Sequence, residues 1–327
     1  MVAVNANQLS SDAAYPRPLN DKARVSIVIT AFNQHYEFIN SMAGIAVQIE
    51  QNPSITLEVV IVDNGSTPAL ETVLDANQVN APIRFIRRTP VMRNFRPGSA
   101  RNIGIGSADG EFILFLDGDC IPGPFYLRDH WERLRTSTKP VVTLGHRIFI
   151  DGKNVTPTVI RECRGGLYHI PEVASASNYG LQQDRRLDEF ECFDQHPMPF
   201  HCCHGCNLGI RRVDLDNVDG FDEHFDGYWG YEDVEFGYRM WVQGAKFVYL
   251  RTAYVYHQEA ARPPAARRAL EARRNYALAC EKIPGFRAFR DRLNRPYYND
   301  FYSAVTTHAP WGNAELNNKR GKPHGTG

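Results

Sequence analysis

No stretch of this 327-residue chain approaches the ~20 consecutive apolar residues that a membrane-spanning helix needs. The opening residues, MVAVNANQLSSDAAYPRPLNDKAR, lack the basic start and apolar run of a secretory signal. An excess of one charge is missing too: 37 Lys and Arg balance 37 Asp and Glu, for a formal net charge of zero. Overall charge therefore gives no reason to expect nucleic acid or an anionic membrane as partner. The seven cysteines, Cys120, Cys163, Cys192, Cys202, Cys203, Cys206 and Cys280, are an odd number without a signal peptide. That favours reduced thiols and a cytoplasmic location. No internal repeat is visible. What remains, 43% hydrophobic and 23% charged residues, is ordinary globular composition. The length suits one large α/β domain with modest additions, or two small domains.

Residues 1–23 are polar and broken by Pro16 and Pro18, and read as a flexible leader. Apolar strands then alternate with longer polar segments. Strands are expected at Val25–Thr30, Leu57–Val62, Pro82–Ile86 and Phe112–Leu116, with helices near 36–51, 68–78 and 99–108. Several of these strands are apolar on both faces, as expected for strands covered by helices on both sides. The β-α-β-α alternation predicts a mostly parallel sheet flanked by helices. Ligands of such sheets bind beyond the carboxyl ends of the strands. Here three strands run into polar tips: Thr30-Ala31-Phe32-Asn33, Asp63-Asn64-Gly65-Ser66 and Asp117-Gly118-Asp119.

Residues 150–200 are irregular and read as an excursion over the site. Beyond them a helix is expected at Val234–Val242 and strands at Lys246–Leu250 and Ala253–Tyr256, then a basic helix from about Ala265 to Lys282. The organisation is a domain over 24–260, divided near 120 into two halves, a helical extension over 261–308 and a disordered tail over 309–327. Arg262, Arg267, Arg268, Arg273 and Arg274 make the late helix basic. A solvated face is the simpler account; docking to an acidic lipid surface at the inner face of a membrane, or to a partner protein, is the alternative.

Asp117 and Asp119 follow a buried strand and stand two residues apart, so their side chains share a face if the chain stays extended. Gly118 lets the backbone turn and a ligand approach. Neighbouring carboxylates repel unless a cation joins them. A hard divalent cation is the natural partner, and it can in turn hold a diphosphate. A pair of loop acids on the surface is the plainer alternative; the preceding apolar strand argues for a site.

The other acidic concentration is Gly227-Tyr228-Trp229-Gly230-Tyr231-Glu232-Asp233-Val234-Glu235. Asp233 falls at or near the start of a helix, where it serves either as an N-cap or as a general base. Tyr228 and Trp229 form an apolar platform for a sugar face or fill core.

Two further patterns fail their motifs. Gly104, Gly106 and Gly110 precede a strand with the wrong spacing for a dinucleotide loop. His201-Cys202-Cys203-His204-Gly205-Cys206 is rich in soft ligands, and Cys203 and Cys206 have C-x₂-C spacing, but a matching second pair is absent.

The ordered motifs VSIVITAFNQ, VVIVDNGST, GSARNIGIGSADGEFILFLDGDCIP, HGCNLGIRR, VDGFDEHF, WGYEDVEFGYRMW and a late His257 resemble the family 2 glycosyltransferases of the GT-A (Rossmann-like) fold. WGYEDVEF also resembles the C-terminal motif of galactosyltransferase-type and chondroitin-polymerase-like enzymes. The resemblance covers about residues 24–260. It implies that Thr30, Ala31, Phe32 and Asn33 line a uridine pocket and that Asp63 contacts the nucleoside. It places Arg101 and Gly118 near the donor, Asp117 toward the ribose or metal shell, and Asp119 with His257 on the metal. Mixed oxygen and imidazole ligation favours Mn²⁺ over Mg²⁺. Glu232 would hold the acceptor, beside Tyr228 and Trp229, and Asp233 would be the catalytic base.

The function implied is transfer of a hexose or N-acetylhexosamine from a UDP-sugar to an acceptor hydroxyl on a glycan, lipid-linked sugar, peptide or small metabolite. Retaining relatives tend to carry Asn after the Glu, so Asp233 implies inversion. Two other functions stand beside it. One is a non-catalytic nucleotide-sugar-binding protein. The other is a sugar nucleotidyltransferase, which needs a glycine-rich loop where this chain has TAFNQ.

Overall fold

A computed structural model describes residues 24–74, 79–89, 96–170, 184, 186–215, 218–258 and 265–293, with backbone alone at 169 and 265–269. The expected leader and tail, most of the 171–185 stretch, and Arg262, Arg267 and Arg268 lie outside the described residues or side chains.

The main sheet has seven strands in the order β3-β2-β1-β4-β8-β6-β9. These are β1 (Arg24–Ala31), β2 (Thr56–Asp63), β3 (Ile83–Arg87), β4 (Phe112–Asp117), β6 (Val141–Leu144), β8 (Leu208–Arg211) and β9 (Lys246–Tyr249). Only β8 runs against its neighbours; every other pairing is parallel. A second sheet orders β5 (Cys120–Pro122), β10 (Val255–Gln258) and β7 (Arg147–Ile150) as β5-β10-β7.

The period of two in each strand sorts side chains into two cores. Val28, Val60, Ile113 and Phe115 face one; Val25, Ile27, Ile29, Val59, Ile61, Phe112, Leu114 and Leu116 face the other. The second core is closed by α1 (His35–Gln51) through Phe38, Met42 and Ile45, and by α3 (Tyr126–Thr136) through Tyr126, Leu127 and Leu134. The first is closed by the Glu232–Val242 helix and the C-terminal helices Ala265–Lys282 and Phe286–Leu293, through Phe236, Met240, Trp241, Ala279, Phe286 and Phe289. The strands that are apolar on both faces thus lie between two helical layers, as sequence patterning predicts. No helix among the described residues is long and apolar enough to cross a membrane.

One expected element is much shorter than its pattern. The helix expected over 68–78 is a single 3₁₀ turn at Leu70–Thr72, with residues 75–78 outside the described set. The local reason is Asp63, whose carboxylate accepts from the Gly65, Ser66 and Leu70 amides and winds the segment around itself. The expected strand at 253–256 lies two residues later, at Val255–Gln258.

The strand order creates the site. β1 is flanked by β2 on one side and β4 on the other, so the chain reverses its direction of travel across the sheet at β1. A crevice opens beyond strand ends at such a switch point. Ala31 is opposite Asp63, and Thr30 opposite Asp117, at that edge.

Candidate active site

Beyond β1 and β4 the backbone is drawn tight. Gly118 donates its amide to the Thr30 carbonyl at 3.0 Å. A Cβ at Gly118 would collide with the Ala31 side chain, so only glycine allows the two tips this approach. Asn33 has a left-handed backbone, φ 53°. Its amide donates to Ser66 Oγ and its Oδ1 accepts from the Thr67 amide, each at 2.9 Å, which ties the first tip to the second. Phe32 stands out at 40% exposure. Asp63 is buried, and both its oxygens accept hydrogen bonds from amides of its own loop.

The two acids of Asp117-Gly118-Asp119 go to different partners. Asp119 Oδ2 accepts from Gln34 Nε2 at 2.8 Å, and Asp119 Oδ1 lies 3.7 Å from His257 Nε2. His257 is brought there by sheet pairing: β10 runs antiparallel to β5, with His257 opposite Cys120. Gln258 secures the junction, since its amide and its Nε2 both donate to the Asp119 carbonyl, and Asn40 donates to Gln258 Oε1 at 2.8 Å.

The hydrogen bonding behind His257 orients the ring toward Asp119. His257 Nδ1 donates to the Gln258 carbonyl at 3.1 Å. In the neutral ring that leaves the lone pair on Nε2, facing the carboxylate oxygen. Ligand atoms of Asp119, Cys120 and His257 lie within 4.8 Å of one another, a group that could hold a metal ion, and a carbonyl behind the far ring nitrogen is the usual support of a metal-binding histidine.

Asp117 instead belongs to a second cluster. Arg101, buried in α2 (Pro97–Ser107), donates Nη2 to Asp117 Oδ1 at 3.2 Å and Nη1 to Glu232 Oε1 at 2.8 Å. One guanidinium therefore joins the end of β4 to the start of the Glu232–Val242 helix. Asp226 fixes α2 by accepting from the Gly98 and Ser99 amides at the helix start, at 2.9 and 3.1 Å. Asn102 exchanges hydrogen bonds with the backbone of Phe221. Gly205 completes the enclosure: a Cβ there would lie against the Arg101 guanidinium.

The N-cap alternative for Asp233 is overturned. The cap position is Tyr231, a left-handed residue at φ 73°, with no side-chain cap bond, and Asp233 is the second residue of the helix. Its Oδ1 accepts from the Val234 amide at 2.9 Å and its Oδ2 from the Gly205 amide at 3.2 Å. Both bonds orient the carboxylate while its oxygens keep further lone pairs.

Asp117, Glu232 and Asp233 surround a single guanidinium, so negative charge is in excess. Burial, then the charge of Asp233, push the Glu232 carboxyl up to about 7 against the pull of Arg101. Burial raises Asp233 as well, opposed by Arg101 and the two amides. Burial would lower Arg101, but the three acids outweigh it and hold its charge firmly. Glu232 Oε2 is buried without a hydrogen-bond partner among the described residues. A buried acceptor left unmade costs about 1–3 kcal/mol, which a ligand hydroxyl would recover.

Tyr228 and Trp229 are half-buried in the turn before the helix. Tyr228 is stacked by Arg274, whose guanidinium carbon lies 4.3 Å from the ring centre and which donates to the His224 carbonyl. This member of the basic helix is thus directed at the site's own aromatic turn.

Sequence reasoning brought together the residues at the strand tips and the Glu232–Asp233 pair. It missed Gln34, Asn40, Gly205, Asp226 and Gln258. Gly205 stood within the quoted motif HGCNLGIRR without a site role, Asp226 directly follows VDGFDEHF, Gln34 closes VSIVITAFNQ and Gln258 adjoins His257.

Residues 26–219 match the family model described as glycosyl transferase family 2, and residues 190–260 match one described as the N-terminal domain of galactosyltransferase. Among curated proteins, a chondroitin synthase of Pasteurella multocida is 27% identical over 252 residues, 74% of this chain and 25% of its own length. A hyaluronan synthase of Pasteurella multocida is 28% identical, over 82% of this chain and 28% of its own length. A validoxylamine A glucosyltransferase of Streptomyces hygroscopicus is 27% identical, over 70% of this chain and 50% of its own length. The chain thus spans about a quarter of the length of the two synthases.

Of solved structures, the mannosyltransferase PcManGT of Pyrobaculum calidifontis, in complex with GDP-Man and Mn²⁺, aligns with TM-score 0.56 and 15% identity, over 90% of this chain and 73% of that one. S. aureus TarS 1–349 in complex with UDP-GlcNAc aligns with TM-score 0.52 and 16% identity, over 86% of this chain and 70% of that one. These likenesses show the GT-A fold. With its model spanning residues 26–219, more than half of the chain, the family is established: the protein belongs to the family 2 glycosyltransferases.

Proposed function

We propose that the protein is a metal-dependent, inverting glycosyltransferase that moves a hexose or N-acetylhexosamine from a UDP-sugar to an acceptor hydroxyl. The observation that carries this reading is the Arg101 bridge, which joins Asp117 at the donor edge of the sheet to Glu232 beside Asp233. A donor held beyond β1, β2 and β4 then has a carboxylate base close to its sugar. The names of the relatives, synthases of chondroitin and hyaluronan, and the UDP-GlcNAc held by a structural neighbour support a UDP-sugar donor.

Thr30, Ala31, Phe32 and Asn33 form the nucleoside wall, with Asp63 ordering the loop opposite. Asp119 and His257 hold Mn²⁺, or Mg²⁺. When bound, the metal neutralises the charge developing on the leaving diphosphate. Asp117 stays on the ribose side, held by Arg101. Glu232 Oε2 accepts a hydrogen bond from the acceptor, whose apolar face rests on Tyr228 and Trp229. Asp233, fixed by the Gly205 and Val234 amides, takes the proton of the attacking hydroxyl. Attack from the face opposite the diphosphate inverts the anomeric centre.

A UDP-release screen over nucleotide sugars, with and without Mn²⁺, tests the reading, and NMR of the product tests inversion. Activity is expected to vanish in excess chelator and return with Mn²⁺. Full activity in chelator would remove the metal from the reaction.

The acid cluster sets the pH response. Asp233 must be ionised to accept a proton, and the folded protein holds the Glu232–Asp233 pair protonated above the ordinary range. Turnover is therefore expected to fall on the acid side with a midpoint above the ordinary aspartate value of 3.8, because burial raises Asp233. Stability runs the other way. Preferential protonation of Glu232 in the folded state stabilises fully below pH about 4.5, and that contribution is lost as pH rises through about 7. A rate profile whose acid limb falls at or below the ordinary aspartate value of 3.8 would contradict the assignment.

A further inference from the structure

The HCCHGC segment lacks a complete zinc set in sequence, yet folding supplies two more ligands. Glu189 on the Leu187–Phe190 turn of helix and His196 after the Phe193–Gln195 turn converge on His201 and Cys202 in the Pro199–Cys202 turn. All four side chains are buried, and their ligand atoms lie within 4.8 Å of one another. Glu189 Oε2 is 2.8 Å from His196 Nε2, 2.9 Å from His201 Nδ1 and 3.5 Å from Cys202 Sγ. Around tetrahedral zinc, ligand atoms are separated by roughly 3.3–3.7 Å, given bonds of about 2.0–2.1 Å to N and O and 2.3 Å to S. Both ring nitrogens stand closer to Glu189 than that and the remaining pairs lie within 4.8 Å, so a cation among them requires outward shifts of the rings.

We propose that Glu189, His196, His201 and Cys202 form a structural zinc site, separate from the Asp119–His257 pair. The mixed sulfur, imidazole and carboxylate donors suit zinc better than Mn²⁺ or Mg²⁺. Without metal, both rings serve Glu189 as donors: the Met198 amide donates to His196 Nδ1 at 3.0 Å, and Arg290 Nη1 to His201 Nε2 at 2.9 Å. Zinc takes the lone pair of the near nitrogen, so each ring must move its proton to the far one. The Met198 amide and Arg290 then turn away, and the Cys202 thiol proton leaves to solvent. Metal binding thus competes with these two contacts, and Arg290 acts as a brake on it.

The position explains what a zinc ion would do here. Phe289 of the last described helix packs against His196 and His201, with ring centres 5.8 and 5.1 Å away, so a zinc ion would staple the 189–202 excursion to itself where that helix covers it. Three residues past Cys202, the Gly205 amide holds Asp233. The staple therefore steadies the turn that orients the proposed base.

The test uses the full chain, purified without chelator, incubated with equimolar zinc and dialysed against excess Mn²⁺. About one zinc per chain is expected to remain, as one closed structural site requires. Cobalt in its place should give tetrahedral d–d bands and a thiolate-to-metal charge-transfer band. That band should survive Cys120→Ser, disappear in Cys202→Ser, and form at several-fold lower cobalt in Arg290→Ala. Should Cys202→Ser fail to fold, zinc-edge X-ray absorption of wild type and Cys120→Ser reads the ligands directly, with one sulfur at about 2.3 Å expected in both. Loss of all zinc on dialysis, a sulfur signal that vanishes in Cys120→Ser, or a cobalt spectrum indifferent to Cys202→Ser would overturn the proposal and leave a hydrogen-bonded cluster only.

Discussion

Asp233→Asn is expected to lower turnover by on the order of 10²–10⁴, the usual size of a general-base effect. At ~1.4 kcal/mol per factor of ten, that is about 3–5 kcal/mol of transition-state stabilisation. The substitution is close to isosteric, and an amide oxygen can still accept from Val234 or Gly205, whose amides now hold the carboxylate. It also removes one negative charge from a cluster with an excess of them, so the fold is expected to be as stable or more so. Donor binding, measured by titration with UDP and Mn²⁺, should be nearly unchanged, because Asp119 and the strand tips are untouched. A variant with near-normal turnover would take Asp233 out of the base role. A variant that loses donor binding as well would mean that the Glu232–Asp233 turn holds the donor.

Arg101→Leu carries the largest expected cost to stability. The side chain is 5% exposed, as is that of Glu232, and breaking a buried pair leaves the other charge uncompensated. Such losses run to about 3–5 kcal/mol. The deficit should be pH-dependent with a definite sign. Without Arg101, Glu232 is driven still further toward its neutral form, so the variant should recover part of the loss at pH 5 and suffer most at pH 8. Urea unfolding at both values, alongside wild type, reads this directly. The double variant Arg101→Leu, Glu232→Gln should regain part of the stability but no activity. A single variant as stable as wild type at pH 8 would show that the bridge is not the tie between the two acid clusters.

The strands, the flanking helices and the polar tips follow from local information. A run such as FILFLD can be buried on both faces only inside a layered α/β fold, and the period of two then distributes it between two cores. The Glu232–Asp233 pair was legible because acids gathered in a glycine-bounded turn before an amphipathic helix. The 68–78 helix was not, because Asp63 takes three amides of its loop, a choice of partners that no propensity records.

Asp117-Gly118-Asp119 shows where local reading ends. Sequence by itself determined that two carboxylates follow a buried strand with a glycine between them. Tertiary structure alone decided that they part company, Asp119 toward Gln34 and His257, Asp117 toward Arg101 and through it Glu232. The same holds for His201 and Cys202, an incomplete ligand set until Glu189 and His196 fold onto them. The physical reason is common to both. A strand or helix period is carried by near neighbours along the chain, whereas ligand sets and buried ion pairs depend on side chains that are from several residues to more than a hundred residues apart. Those meet only through sheet pairing, as His257 meets Cys120 across β10 and β5, or through helix packing, as Arg101 meets Glu232.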